Sequence, residues 1–272
     1  KFAQCAGAGC PACRLRLTHT TYMKISTPPA RFAVFLIIAA TLACLLPAAW
    51  PRPCNALAIS KGLSFYANDL EYYYQHRRTE TLPGILRTFD GQGVLKDSLK
   101  QIMLATFLAQ VLRDDPSARQ RLLPPQPGLS RDGRRTLAWM AHLAQLPDEE
   151  ELLATLLQPE EKLLLQQIRH SPAPLVNWDI YSEKSVLQMY WAAFMASGSN
   201  EFLDVIIRAA LHYAKLNSEG LRNNDSFSGS AAAAASLYDL APRHPAVQTR
   251  LEQFLKNCSG PEAETLKTIL RK

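Results

Sequence analysis

Past residue 58 the sequence holds a single cysteine, Cys258. One thiol cannot close an intramolecular disulfide, so this part of the chain must be held by its apolar core. Strand patterns are equally scarce. No alternating run of β-branched residues exceeds a few positions, and the turn Asp90-Gly91-Gln92-Gly93 has no strand pattern on either side. Acid is missing altogether from residues 1–58, which carry six basic groups: Lys1, Arg14, Arg16, Lys24, Arg31 and Arg52. The 214 residues that follow hold 24 Lys and Arg against 24 Asp and Glu, so the net charge of +6 resides wholly in the first 58. A nucleic-acid surface needs surplus positive charge on a folded face, so no nucleic acid is expected as a partner.

Motifs that carry chemistry are also lacking. Gly91-x-Gly93 is too short for a dinucleotide fingerprint, and no G-x-S-x-G context occurs. The histidines at 76, 142, 170, 212 and 244 show neither H-x3-H nor H-E-x2-H spacing. Glu149, Glu150 and Glu151 read as the charged first turn of a helix rather than as an acid–base pair. Cys258 has no base near it in sequence, and a plain thiol is the simpler reading. Cys5, Cys10 and Cys13 have the C-x4-C-x2-C spacing of a plant-type iron–sulfur site. Such a site needs a fourth thiolate from a folded domain, and these three precede a leader. No cofactor, no metal and no catalytic residue is expected.

The leader has three parts. Met23 and Lys24 open a basic segment ending at Arg31, residues 32–49 are apolar and uncharged, and Pro51 and Pro53 precede the triplet Ala56-Leu57-Ala58. Small residues at those two alanine positions suit a leader peptidase, which predicts cleavage after Ala58 and export to the periplasm. The competing reading is a retained inner-membrane anchor over 32–49, a run near the roughly 20 residues that span a bilayer. Membrane contact is expected only in that case. Lipid attachment at Cys44 ranks third, because Thr41 stands three residues before it. Met23 stands where a leader begins, so residues 1–22 are expected to be a non-structural upstream segment, 23–58 the signal peptide and 59–272 one domain.

That domain reads as helix nearly throughout. Val186, Met189, Tyr190, Ala193 and Phe194 follow i, i+3, i+4, i+7, i+8, and Phe202, Val205, Ile206, Ala209, Ala210 and Tyr213 resume the period after Ser197-Gly198-Ser199-Asn200. Two amphipathic helices joined by so short a turn fold back on each other. Helix starts recur at Asp115-Pro116, at Asp148 with Glu151, and at Pro159, Pro245 and Pro261. The expected pairs are 99–113 with 116–122, 134–145 with 148–157, 183–196 with 200–216, and 230–240 with 245–257. Pro124, Pro125 and Pro127 predict a rigid loop, and 220–230 a flexible polar one.

Two turns share residues. Pro116-Ser117-Ala118-Arg119-Gln120-Arg121-Leu122 aligns with Pro245-Ala246-Val247-Gln248-Thr249-Arg250-Leu251 as P-x-[AV]-x-x-R-L. The Ala-rich stretch 231–235, followed by Leu237, Tyr238 and Leu240, resembles the small-residue packing of tetratricopeptide-type repeats. Prolines 116, 147 and 245 do not keep that family's constant spacing, and the resemblance covers about a third of the chain. It implies an all-α array of antiparallel helical hairpins, either an α-solenoid or an irregular bundle. Tyr72-Tyr73-Tyr74 and the segment 191–198 are similar to pieces of exported bacterial helical proteins without an assigned activity. That similarity implies a compartment and a helical fold and brings no site with it.

The candidate binding residues are Trp178, Asp179 and Tyr181, in a loop after Pro172 and Pro174, together with Tyr73, from a run of three tyrosines of which at least one should be exposed. The expected function is a protein-binding or scaffolding module of the cell envelope, its partner another protein. The alternatives are a membrane-anchored assembly factor and a hydrolase-like envelope enzyme in which Asp179, His170 and Glu183 would converge.

Overall fold

The computed structural model describes residues 67–123, 128–181 and 183–271, and every regular element among them is helical. The segment 1–22, the leader 23–58 with its cleavage at Ala58, the alternative anchor 32–49 and the prolines at 124, 125 and 127 lie outside the described residues. In chain order the helices are α1 (Ala67–Glu71), α2 (Tyr73–His76), α3 (Leu82–Gly91), α4 (Ser98–Asp114), α5 (Arg119–Leu122), α6 (Arg131–Ala144) and α7 (Glu149–Leu156). There follow α8 (Lys162–His170), α9 (Lys184–Ser197), α10 (Asn200–Ser218), α11 (Phe227–Leu240), α12 (Pro245–Leu255) and α13 (Gly260–Leu270).

Two helices organise the core. α4 packs against α6 and α9, and α9 packs in turn against α10, α11, α1 and α2. Their composition explains the position. From Val186 to Ala196 every residue of α9 is buried, and α4 buries Met103, Leu104, Phe107, Leu108, Val111 and Leu112 on several sides. A helix that is apolar all round must be covered all round. The period read in sequence described one face of α9; Leu187, Trp191, Ala192 and Met195 supply the others. Even the indole of Trp191 finds a partner inside, donating to Ser236 Oγ on α11 at 3.0 Å.

α9 packs on α10 across the turn at Gly198, and α6 packs on α7. Of the expected partner 116–122, the turn Pro116–Ala118 lies against α4, while the four-residue α5 packs on α3. The remaining pairing is corrected. α11 packs most extensively on α10, and α12 packs on α13 and α10 instead. The Ala-rich surface of α11 lets another helix approach closely, and α10 takes that place.

Cap chemistry is mixed in the same way. Asp115 accepts from the Ser117 hydroxyl at 2.6 Å and from Ser117 N at 3.0 Å, and these bonds, the hydroxyl first, hold its carboxyl below the ordinary range. Pro245 and Pro261 stand in the first turns of α12 and α13. Asp148 makes no capping bond; its Oδ2 pairs with the Arg119 guanidinium. A cation within reach outbids a neutral amide for a carboxylate.

Candidate functional site

The richest polar constellation lies where α6 ends. Gln145 adopts a left-handed conformation (φ 53°), and its N–H donates to the His142 carbonyl, which stops the helix. Pro147 and Asp148 turn the chain, and α7 begins with Glu149, Glu150 and Glu151, acids at the positive end of a helix. His142, Pro147, these four acids and Arg169 from α8 line an open cleft of about 650 Å³.

His142 is the buried centre of this group, 7% exposed. Its Nδ1 lies 2.7 Å from Glu149 Oε1, and its Nε2 lies 3.0 Å from the carbonyl oxygen of Ser171, which follows α8. Trp139, one turn earlier, presents an edge-on ring at 6.3 Å. Glu150 pairs with Arg169, and both are exposed. Asp148 Oδ1 is buried without a hydrogen-bond partner among the described residues. Both ring nitrogens are engaged, one by α7 and one by the chain after α8. The arrangement therefore serves as a clasp joining α6, α7 and the chain after α8.

α8 needs such a clasp because it buries one residue fully, Ile168. Its other end is held by Glu161, whose Oε1 accepts from Arg131 Nε at 2.9 Å and Arg135 Nε at 2.5 Å, while Oε2 accepts from Gln158 N at 2.9 Å. Burial would raise the Glu161 pKa, but the Gln158 amide and the two guanidiniums outweigh it and bring it down to about 2.

The loop after Ser171 carries the residues singled out in sequence. Trp178 is half-buried; its indole N–H donates to the Pro172 carbonyl at 2.6 Å, closing the loop on itself. Asn177 Nδ2 donates to the Ala173 carbonyl at 2.8 Å, and the Tyr190 hydroxyl donates to the Trp178 carbonyl at 3.1 Å. Asp179 is exposed and accepts from Tyr181 N at 2.9 Å. Tyr181 stands over His212, ring centroids 5.3 Å apart, and burial, then Asp179, raises its hydroxyl pKa. Val176, 39% exposed, projects from the same loop, an apolar contribution that sequence reading passed over. Trp178, Asp179 and Tyr181 thus share one braced loop.

Tyr73 does not join them. It is 4% exposed, donor or acceptor to Thr79 Oγ1 at 2.7 Å, and edge-on to Phe107 at 5.2 Å. Its position in the core corrects the expectation that it faces a partner: α2 packs on α9 with Tyr73 buried, while Gln75 and His76 are exposed. Nor do Asp179, His170 and Glu183 converge. Each is exposed, with His170 Nδ1 2.7 Å from its own helix's Gln166 carbonyl and Glu183 accepting from Ser185.

A second buried histidine lies elsewhere. His244 is fully buried, with Nε2 3.3 Å from Glu71 Oε1 and Nδ1 3.2 Å from the Tyr74 hydroxyl. Tyr72 stacks on its ring at 4.9 Å, and Arg243 pairs with Glu71 at 2.6 Å.

Among the described residues no group of three or more His, Cys, Asp or Glu is placed to hold a metal ion, and no helix is long and apolar enough to cross a membrane. Burial, then Glu262, raises the thiol pKa of Cys258. No family model, no curated protein and no solved structure matches this chain.

Proposed function

We propose that the domain is a protein-binding module of the cell envelope, an array of helical hairpins that takes a basic segment of another protein on the 172–181 loop. The observation that carries the reading is the juxtaposition of exposed Val176, half-buried Trp178 and exposed Asp179 on a loop braced by three hydrogen bonds. A braced loop loses little conformational entropy on binding, and an aromatic beside an aliphatic and a charge is the composition of an interface anchor. Charge gives the partner its sign. Asp179 is on the loop itself, and Glu149, Glu150 and Glu151 surround the cleft at its root. Export and leader cleavage after Ala58 belong to the same proposal, because the module would then meet its partner in the periplasm.

The test uses two surface variants, Val176→Asp and Asp179→Lys, beside the pair Trp178→Ala with Tyr181→Ala. All should keep the parent's helical circular dichroism, while recovery of a partner that the parent captures falls at least about tenfold, as for an interface anchor. Binding should also weaken with added salt. If every variant recovers each partner as the parent does, the loop is not the binding surface. Intact mass after expression from Met23, with fractionation, should give a periplasmic species beginning at Ile59.

A further inference from the structure

The contacts of His142 present an imbalance. A neutral imidazole carries one N–H and one bare nitrogen lone pair, whereas the imidazolium carries two N–H groups. Both ring nitrogens of His142 face acceptors: the Glu149 carboxylate at 2.7 Å and the Ser171 carbonyl at 3.0 Å. The neutral ring can serve one of them, leaving its lone pair aimed at the oxygen of the other. The ring is 7% exposed, on the lining of the open cleft, so little solvent reaches it to relieve that clash.

We propose that His142 is a proton-controlled pin for the root of the 172–181 loop. The doubly protonated ring holds Glu149 and Ser171 together; when it gives up one proton to solvent, the carbonyl is released. Which contact is lost follows from acceptor strength. A carboxylate is the better acceptor, so the remaining proton stays on Nδ1 toward Glu149, and Nε2 faces the Ser171 oxygen with lone pair against lone pair. The charged groups facing the ring are Glu149 of α7, then Asp148, Glu150 and Glu151 around the same cleft, Arg169 of α8, and Arg119 through its pair with Asp148. Release at Ser171 removes a contact between α6 and the start of the loop, while Ile168 and the pair of Arg169 with Glu150 still hold the end of α8. The consequence for partner binding rests on the loop being the recognition surface: acid would lock the surface and mild base would loosen it.

The test reads the free protein and needs no partner, so it stands or falls apart from the binding assay. Ring ¹⁵N NMR of the unmodified chain follows the two nitrogens of His142 from about pH 5 to about pH 8, the range in which histidine changes charge. Amide exchange at Ser171 and Asn177, corrected for the intrinsic pH dependence of exchange, follows the loop. At about pH 5 both nitrogens should carry protons. At about pH 8 the one remaining proton should be on Nδ1, with protection of the two amides lower by about tenfold, the loss of one ordinary hydrogen bond. In His142→Gln the protection should not change with pH. A ring in one protonation state across the range overturns the proposal, as does a ring that titrates while the amides stay equally protected.

Discussion

His142 and His244 are both buried, both touch a glutamate, and both join segments distant in sequence. They differ in what stands on the second nitrogen. At His244 the far partner is the Tyr74 hydroxyl, which can donate: Gln75 Nε2 donates to Tyr74 Oη at 2.8 Å, Tyr74 to Nδ1, and Nε2 to Glu71, which Arg243 also reaches. A ring with one N–H completes that chain. At His142 the far partner is a main-chain carbonyl, which can never donate. The same side chain is a fixed strut in one place and a conditional clasp in the other. Packing follows the distinction: Tyr72, Tyr74 and Phe194 surround His244, whereas His142 borders an open cleft.

The largest effect should come from His244→Ala. It removes a stacked ring from the core and strips Glu71 and Tyr74 of a partner, which should cost about 3 kcal/mol in urea unfolding. His142→Ala should cost about half of that, because Glu149 is partly open to water and can be rehydrated. Equal costs would mean that the clasp is as integral as the strut, and the comparison would fail.

Next comes Glu161, at the far end of α8. Its carboxyl titrates at about 2 instead of an ordinary 4.5, a difference worth roughly 3 kcal/mol at most and roughly 2 once the exposure of Arg131 and Arg135 is discounted. A depressed carboxyl stabilises the fold above its unfolded value, so this contribution is fully present above about pH 4.5 and fades as pH falls toward about 2. Urea midpoints across that window should show the loss in the parent, and Glu161→Gln should be weaker at neutral pH with the acid step reduced.

Gly198→Ala probes the His244 side at smaller scale. Gly198 ends α9 with φ +70°, and an added Cβ would lie 3.0 Å from the Tyr74 ring, the ring that holds His244. The left-handed backbone and the displaced tyrosine together should cost about 1–2 kcal/mol. A midpoint shift in thermal unfolding is the readout. A Gly198→Ala variant as stable as the parent would show that Tyr74 can give way without disturbing the strut.

How much of this was visible beforehand depends on the range of the interaction. The periods at Val186–Phe194 and Phe202–Tyr213 placed α9 and α10, because local amphipathicity and the turn at Gly198 decide a neighbouring pair. The same periods could not show that α9 is covered on every side, since that follows from α4, which is distant in sequence. Glu71 and His244 are 173 positions apart, and no spacing rule connects them. The His142 clasp was hidden for another reason: its decisive partner, the Ser171 carbonyl, has no residue-type signature. Glu149 reads as an ordinary solvated helix start, which Glu151 is, while Glu150 pairs with Arg169. The loop around Trp178 is legible from its aromatics and prolines, but which side chains face inward is not: Tyr73 turns to the core and Val176 to solvent.

The smallest expected effect tests the premise beneath the clasp. Leu163 lies on α8 and is 82% exposed. If α8 is fixed by polar contacts at Glu161 and Ser171, its outer apolar surface carries almost nothing, and Leu163→Gln should change stability by less than about 0.5 kcal/mol. Ile168→Ala, at the one fully buried position of α8, should by contrast cost about 2–3 kcal/mol. A loss above about 1 kcal/mol on Leu163→Gln would mean that α8 is held along its length, by a contact on its outer side. Ser171 would then stay in place whatever the state of the imidazole, and His142 would be a strut like His244.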